Sequence, residues 1–234
     1  MMWRFTLRLG LCSVYSYDMS NALLIADDHP LFREALTFIA TSVMPDTTVV
    51  YATNYAETKQ ALKDRTFKLV FLDLNMPDSN GLTDLALLKK LHPTTPMVVV
   101  SAHEDPDVIR TCLGYKASGY IIKSSEPEII KQAINVILGG DIYVPQDIDL
   151  TLEVSDASSV AAKQISSLTP SQLRVLIEIG KGKLNKQIAY DLDVTEATVK
   201  AHITTVFKKL KINNRTQAVL FAKRHQTKNP ELRN

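Results

Sequence analysis

Cysteine is scarce in this chain, and long apolar runs are absent from it. The 234 residues include two cysteines, Cys12 and Cys112, which are too few for a disulfide framework or a zinc site. No apolar run reaches the roughly 18 residues that a helix needs to cross a bilayer. Charged residues make up 22% and hydrophobic residues 45% of the chain, as in ordinary globular proteins. The sequence therefore predicts one or two cytoplasmic domains without a membrane partner.

The small net charge of +2 hides an uneven distribution. From Ile165 to the C-terminus, 13 Lys and Arg residues stand against 5 Asp and Glu residues, a net charge of +8. The rest of the chain has 14 basic against 20 acidic residues, a net charge of −6. An acidic N-terminal part joined to a basic C-terminal part suggests two domains, the second of which meets a polyanion. Charge alone leaves a chance distribution equally open.

The first twenty residues carry basic and then apolar residues, as a secretory signal does. Their apolar core is short, Arg8 interrupts it, and no small-x-small cleavage site follows. Met19 lies four residues before Leu23, in the first clear strand. We therefore expect residues 1–20 to be a disordered extension or the product of a wrongly assigned start, with the working protein beginning near Met19.

Segments of strand length and segments of helical periodicity alternate from residue 22 to about residue 140. After the first apolar run, Pro30 suits the first turn of a helix. An apolar helical face follows at i, i+3, i+4 and i+7, formed by Phe32, Ala35, Leu36 and Ile39. Five strands alternating with five helices predict an α/β doubly wound fold, in which helices cover both faces of a five-stranded parallel sheet.

Several of the predicted strands end in polar or charged residues that could take part in chemistry. Asp27 and Asp28 end the first strand, Asp73 ends the third, and Ser101 and Lys123 end the last two. Ligands of open α/β sheets bind outside the carboxyl ends of the strands, where these groups should meet. Clustered carboxylates repel one another unless they share a hard cation such as Mg²⁺. The positive charge of Lys123 and the hydroxyl of Ser101 are both suited to contact a phosphoryl oxygen. Taken singly, the aspartates can also be helix caps, and Ser101 is more often an ordinary strand-end hydroxyl.

Together these residues resemble the receiver domain of two-component response regulators. The resemblance covers about residues 22–143 and rests on Asp27-Asp28, Asp73 followed by Asn-Met-Pro-Asp, Ser101-Ala102, Tyr120 and Lys123. One departure is that Ser124 follows the lysine where many receivers have proline.

This resemblance implies a phosphorylation switch in residues 21–143. Asp73 would accept a phosphoryl group from a sensor histidine kinase, acting as a carboxylate nucleophile. The residues implied as Mg²⁺ ligands are Asp27, Asp28, Asp73 and, through its backbone carbonyl, Asn75. Ser101 and Lys123 would contact the phosphoryl oxygens, and Tyr120 would swing inward as Ser101 is drawn to the phosphate. The domain would assist only its own phosphorylation and dephosphorylation, so the protein is not expected to be an enzyme.

A second domain is predicted after a linker. Residues 144–164 contain turn formers and no sustained period, which is typical of a linker. Thr169 and Pro170 then begin a helix as N-cap and first-turn residue. A short helix from Asn185 and a turn at Asp193 precede a longer helix with an apolar stripe, formed by Val199, Ile203, Val206, Phe207 and Leu210. Its opposite face, with Lys200, Ala201, Thr204, Thr205 and Lys208, is either a solvated surface or the reading face of a helix-turn-helix.

The second domain resembles the LuxR-type domain of NarL/FixJ response regulators over about residues 165–225. The matching motifs are Leu168-Thr-Pro, Asn185-Lys-x-Ile-Ala, Thr198-Val-Lys-x-His202 and Lys209-Leu-x-Ile-x-Asn-Arg215-x-x-Ala218. The resemblance implies a small all-α four-helix domain, residues 165–228, whose third helix enters the major groove of double-stranded DNA. Gln172 stands where the family usually has Glu. Thr204 stands where the family often has a long cation, and this second departure leaves the base specificity open, but not DNA binding.

The same resemblance assigns contacts and partners. It places base contacts on Lys200, Ala201 and Thr204. The remaining predicted DNA contacts, mainly to phosphates, are Asn185, Lys186, Thr198, His202, Lys208 and Lys209. The last helix, around Thr216–Arg224, would pair two copies into a homodimer on DNA or after phosphorylation, and RNA polymerase is a further candidate partner.

Two other functions stay open at this point. Asp73-x-Asn75 after an apolar strand faintly resembles the nucleophile of haloacid-dehalogenase-type phosphatases, which usually carry a second acid where this chain has Asn75. The other alternative keeps both domains but drops the switch, leaving a regulator that binds DNA regardless of phosphorylation.

Overall fold

The computed structural model describes residues 21–146 and 156–224. The predicted N-terminal extension, residues 1–20, lies outside the described residues. None of the helices in the two described ranges has the length and apolar character of a membrane span.

Five short strands form one parallel sheet. They are β1 (Ala22–Ala26), β2 (Thr48–Ala52), β3 (Leu69–Leu72), β4 (Met97–Ser101) and β5 (Gly119–Ile122). Their spatial order is β2-β1-β3-β4-β5, and all neighbouring strands run parallel. β1, β3 and β4 are buried at every residue, which explains why each reads as a continuous apolar run without polar alternation. The predicted doubly wound sheet is confirmed.

Helices cover both faces of this sheet. They are α1 (Pro30–Val43), α2 (Tyr55–Asp64), α3 (Leu82–Leu91), α4 (Pro106–Gly114) and α5 (Pro127–Leu138). Because side chains alternate along a strand, Leu23 and Ile25 of β1 pack in one apolar cluster with α1 and α5. Leu24 and Ala26 pack in the other cluster, with α2, α3 and α4.

Strand order reverses between β1 and β3, because the chain first moves outward from β1 to β2 and then crosses back to β3. In doubly wound sheets, this reversal opens a crevice at the carboxyl ends of the two central strands. Asp27 follows β1 and Asp73 follows β3, so the fold brings the two acids to the same crevice.

The C-terminal part is entirely helical in its described residues. Its helices are α6 (Asp156–Ser167), α7 (Pro170–Gly180), α8 (Asn185–Asp191), α9 (Glu196–Leu210) and α10 (Arg215–Arg224). Thr169 caps α7 by accepting a hydrogen bond from the Gln172 amide, and Thr195 caps α9 in the same way through the Thr198 amide. Asp193, with a φ of 52°, makes the tight turn between α8 and α9. The four helices α7–α10 confirm the predicted all-α domain.

Helix α6 differs from the expectation for residues 144–164, which were predicted to be a linker throughout. The chain is helical from Asp156 to Ser167, so the C-terminal part of the predicted linker belongs to α6. Two alanines, Ala161 and Ala162, favour helix intrinsically. Ala162 and Ile165 are buried against other helices, so the helix is stabilised by tertiary packing that a short, weakly periodic sequence does not reveal.

Candidate phosphoacceptor site and nucleic-acid interface

Lys123 forms ion pairs with two aspartates at the carboxyl end of the sheet. Its Nζ lies 2.7 Å from Asp27 Oδ2 and 2.8 Å from Asp73 Oδ2. Both aspartates are only 2% exposed. The lysine reaches them from the end of β5, two strands away from β3, because its Nζ stands on a long apolar stem. The same Nζ lies over the Phe32 ring, 5.0 Å from its centroid. The predicted meeting of strand-end groups is therefore present in the geometry.

At this site, burial and the neighbouring charges shift the pKa values of Asp73 and Lys123 in opposite directions. Burial raises the pKa of the Asp73 carboxyl, and hydrogen bonds from Lys123 and from the Asn75 amide offset part of that rise. Burial also lowers the pKa of Lys123, but the two carboxylates outweigh it and hold that pKa above its ordinary value. Lys123 is thus a fixed positive charge beside Asp73, and it partly compensates for the charge of a buried nucleophile.

The carboxylates can hold a metal ion. Ligand atoms of Asp27, Asp28, His29 and Asp73 all lie within 4.8 Å of one another. Three carboxylates in one crevice match the oxygen-rich donor set of a hard divalent cation. Asn75, the fourth predicted ligand, lies two residues from Asp73, and its amide donates to Asp73 Oδ1 at 3.0 Å.

His29 is a member of this cluster that the sequence interpretation did not include. Its amide donates to Asp27 Oδ1 at 2.8 Å, and its Nδ1 lies 2.8 Å from Asp28 Oδ1. His29 therefore contacts both acids that follow β1, Asp27 through its amide and Asp28 through its ring. The run Asp27-Asp28-His29 could have predicted its inclusion, because three residues of types that bind metals follow one another there.

Ser101 and Tyr120 lie behind the acidic cluster, and both side chains are completely buried. Ser101 Oγ accepts a hydrogen bond from the His103 amide at 3.3 Å, and the Tyr120 hydroxyl donates to the His103 carbonyl at 2.8 Å. The structure thus has Tyr120 in an inward position, anchored to the same loop residue as Ser101.

The predicted base-reading residues lie on an open face of α9. Lys200, Ala201, Thr204 and Lys208 are all exposed, whereas Val199 and Val206 on the opposite face are buried. The Lys200 side chain forms an exposed ion pair with Glu196, at 3.1 Å, which holds it weakly. A helix with a small residue at its centre and cations beside it can approach base edges closely.

The residues predicted to contact phosphates divide into two groups. Asn185, Lys186, Thr198 and His202 surround the open face, with exposed or half-buried side chains. Lys209 instead points into the domain, where its Nζ donates to the Ser167 carbonyl at 2.8 Å and to Gln172 Oε1 at 2.9 Å. Its side chain therefore joins α9 to α6 and α7, and its contact with DNA stays a prediction.

Arg215 is an interface residue that was recognised as part of a motif but not assigned a role. Its guanidinium donates from Nη1 to Asn185 Oδ1 at 3.1 Å and from Nη2 to the Lys183 carbonyl. These bonds tie the start of α10 to the start of α8, and they orient the Asn185 side chain. The partners are 30 and 32 residues away in sequence, so the local periodicity of the sequence could not predict these two hydrogen bonds.

Two family models match the chain. One is described as a response regulator receiver domain and matches residues 23–135. The other is described as bacterial regulatory proteins of the luxR family and matches residues 166–222. Each match covers one of the two structural regions described above.

Similar proteins are found along nearly the whole chain. The glycerol metabolism activator of Pseudomonas putida is 41% identical over 210 residues, covering 86% of this chain and 94% of its own length. The nitrate/nitrite response regulator protein NarL of Escherichia coli K12 is 33% identical over 210 residues, covering 87% and 97%. RcsB from Salmonella enterica serovar Typhimurium, solved bound to a promoter in the presence of the phosphomimetic BeF3⁻, has a TM-score of 0.51 at 20% identity, covering 87% and 98%.

Proposed function

We propose a function from the premise that this chain belongs to the NarL/FixJ family of response regulators, whose receiver domain and LuxR-type DNA-binding domain it carries in that order. The chain is therefore a two-component transcription regulator, and its family is not one of classical enzymes. Family membership leaves no support for the phosphatase alternative. A receiver domain also implies a kinase as partner.

We infer that Asp73 is the phosphoacceptor. The observation that carries this inference is the position of Asp73 at the end of β3, with Lys123 Nζ 2.8 Å from one carboxylate oxygen and Asp27 in the same crevice. One Asp73 oxygen attacks the phosphorus of a phosphohistidine on the kinase, the P–N bond breaks, and the imidazole keeps the electron pair and takes up a proton. The product is an acyl phosphate on Asp73.

The surrounding residues stabilise the transferred group. Lys123 neutralises part of the charge on the phosphoryl oxygens, and Ser101 donates its hydroxyl to them. Asp27, Asp28, Asp73 and the Asn75 carbonyl are the proposed ligands of Mg²⁺, which when bound supplies positive charge and orientation for the phosphoryl group. Because Ser101 and Tyr120 share His103 as a partner, movement of the serine is the proposed first step of the switch.

The C-terminal domain is proposed to read DNA through α9. Lys200, Ala201 and Thr204 contact base edges, and the surrounding predicted residues bind the backbone. α10 is the proposed dimer surface, since Leu220 on it is 52% exposed. The acidic receiver, residues 21–143, and the basic domain, residues 165–228, would act in the cytoplasm, with RNA polymerase as a candidate partner at the promoter.

The proposal is tested with purified full-length protein, Mg²⁺ and acetyl phosphate. Intact-mass spectrometry measures phosphoryl uptake, light scattering measures dimer formation, and fluorescence anisotropy measures affinity for a duplex that the wild-type protein selects from a random-sequence library. We expect uptake of one phosphoryl group, a shift toward dimer and tighter binding to the selected duplex. Phosphoryl uptake without any change in oligomeric state or DNA affinity would contradict the proposed coupling.

Replacing Lys200 with alanine should separate specific from non-specific binding. Lys200 is exposed at the centre of the reading face, and a good base-edge contact contributes about 1–3 kcal/mol of discrimination. We expect affinity for the selected duplex to fall about tenfold or more at fixed salt, and affinity for a scrambled duplex to fall less. Lys63→Ala, an exposed lysine on α2, controls for the loss of one positive charge. An equal loss on both duplexes would assign Lys200 to the DNA backbone.

Replacing Arg215 with alanine should weaken binding to both duplexes alike. The variant removes two hydrogen bonds that orient Asn185 and the start of α8, each of a kind that contributes about 1.5–3 kcal/mol when one partner is charged. We expect a loss of affinity of about tenfold, with Arg215→Lys recovering part of it. Lys63→Ala, which lies outside the proposed DNA and dimer surfaces, again controls for the loss of one positive charge. A loss confined to the selected duplex would assign Arg215 to base reading.

A further inference from the structure

Two helices of the receiver pack against two helices of the DNA-binding domain. α3 packs against α6 and α7, and α4 packs against α6. The contact is apolar, because buried residues of both domains, among them Leu87 of α3 and Ile177 of α7, form one continuous cluster. Every residue of α3 from Leu82 to Lys89 is buried, although a helix that covers a sheet on one side normally keeps a polar outer stripe. The outer side of α3 is therefore a built docking surface, and its occupant is the chain's own C-terminal domain.

The C-terminal end of α6 is held from both sides. Lys90 of α3 donates from Nζ to the Ser166 carbonyl at 2.7 Å, and Lys209 of α9 donates to the Ser167 carbonyl at 2.8 Å. Gln164 Nε2 donates to the Leu210 carbonyl at 3.0 Å. Carbonyls at a helix C-terminus lack intrahelical partners and carry the negative end of the dipole, so both ammonium groups are well placed there. α6 is thus shared between the receiver and the recognition helix.

This docking leaves the DNA-reading surface open. Recognition helices contact bases through their N-terminal residues. The α9 residues that form these hydrogen bonds with α6 are Lys209 and Leu210, at the C-terminal end of α9. Lys200, Ala201 and Thr204, nearer the N-terminus of α9, are exposed in the same docked arrangement.

We propose that the docked arrangement is itself a DNA-binding form of this protein, in which the receiver stays on α6 and α7 while α9 enters the major groove. The inference rests on the proposed function and adds to it a statement about regulation. Phosphorylation does not have to uncover the recognition helix. It acts on how two docked copies pair on DNA.

The α4–α6 contact offers a way to lock the two domains together. A Cβ added at Gly114 of α4 would lie 3.6 Å from the Cβ of Ala162 in α6, which is ordinary contact distance. Disulfides join Cβ atoms about 3.5–4.5 Å apart. Gly114→Cys combined with Ala162→Cys should therefore form a bond across the docked interface without moving either domain. The pair is made in a Cys12→Ser background, and the native Cys112 is completely buried.

The experiment compares oxidised and reduced full-length protein on the selected duplex. We expect the double-cysteine variant to cross-link on mild oxidation, and the locked protein to bind DNA within about threefold of the reduced protein. The single variants Gly114→Cys and Ala162→Cys, treated identically, control for oxidation itself. A tenfold or larger loss of affinity that a reductant reverses would overturn the inference and leave the proposed DNA-binding function intact.

Two further outcomes are also decisive. If the pair fails to cross-link although the reduced variant folds and binds DNA, the docked arrangement is not populated and the inference is wrong. If neither the variants nor the wild-type protein bind any duplex, the proposed function fails together with the inference. Hydrogen exchange of the unmodified protein gives an independent measurement, because the amides of α3 and α6 should keep their protection when DNA is bound, and loss of that protection would contradict docked binding.

Discussion

An Asp73→Asn variant will take up no phosphoryl group from acetyl phosphate and Mg²⁺, and it will keep its fold. An amide oxygen is a poor nucleophile compared with a carboxylate, and the substitution also removes one charged ligand from the proposed metal site. Intact-mass spectrometry should therefore show only the unmodified protein after an incubation that labels the wild type fully. DNA affinity of the variant should be the same with and without the phosphodonor.

Retention of the fold follows from the contacts of Asp73. The carboxylate is 2% exposed, and its partners are Lys123 and the Asn75 amide. The two donors bond different Asp73 oxygens, so the single side-chain oxygen of asparagine can accept from only one of them. Lys123 keeps Asp27 as a counterion, and the repulsion between the Asp73 and Asp27 carboxylates is removed. We expect the free energy of urea unfolding to change by no more than about 1 kcal/mol.

The matched control lies in the same loop. Asp78→Asn changes an exposed aspartate whose φ of 63° is well tolerated by asparagine. This control should be phosphorylated as the wild type is. Labelling of Asp73→Asn at the wild-type level would show that a different residue accepts the phosphoryl group.

The receiver fold and its acidic cluster could be predicted because their signals are local. β1, β3 and β4 are apolar runs of strand length, and the residues with chemical roles stand directly after them. In a parallel sheet, strand ends meet regardless of how far apart they are in sequence. The 2.8 Å contact between Lys123 and Asp73, 50 residues apart, is a consequence of that rule.

Contacts between helices that are distant in sequence could not be predicted in the same way. Lys90 meets the Ser166 carbonyl across 76 residues, and Lys209 meets the Ser167 carbonyl across 42. Neither pair leaves a periodic signal, and a lysine on a helix is usually solvated. For Lys209 the family motif predicted DNA contact, whereas its hydrogen bonds lie inside the protein.

One signal of the docking was nevertheless present in the sequence. α3 carries Leu82, Leu85 and Leu88 on one side, and Leu87 and Leu91 are displaced around the helix. An apolar surface that wide indicates a helix buried on more than one side. The sequence does not say what buries the second side, because α6 and α7 supply complementary residues from beyond residue 156.

Replacing Lys123 with methionine should destabilise the receiver strongly in the absence of Mg²⁺. The ammonium lies within 2.8 Å of both Asp27 and Asp73, and removing one partner from a buried ion pair costs about 3–5 kcal/mol because the remaining charges lose their compensation. Methionine keeps most of the apolar stem, so the loss reports on charge more than on packing. We expect the free energy of urea unfolding to fall by about 3 kcal/mol.

Mg²⁺ should reverse much of this loss. A cation that binds the folded carboxylate cluster stabilises the folded state by RT ln(1 + [L]/Kd), about 2.7 kcal/mol at a hundredfold excess over Kd. Without the competing ammonium, the variant should gain more stability from Mg²⁺ than the wild type does. The same measurement therefore tests the proposed metal ligands without relying on phosphorylation.

A surface lysine provides the matched control. Lys131 pairs at 2.8 Å with Glu128, whose side chain is 78% exposed, and such pairs contribute about 0–1 kcal/mol. Lys131→Met should therefore change stability little and show no altered response to Mg²⁺. If Lys123→Met behaved like this control, the Asp73 carboxyl would not be charged in the absence of the ammonium. Burial, which already raises the pKa of Asp73, would then have kept that carboxyl protonated, and Lys123 would serve to hold the nucleophile in its reactive charged form.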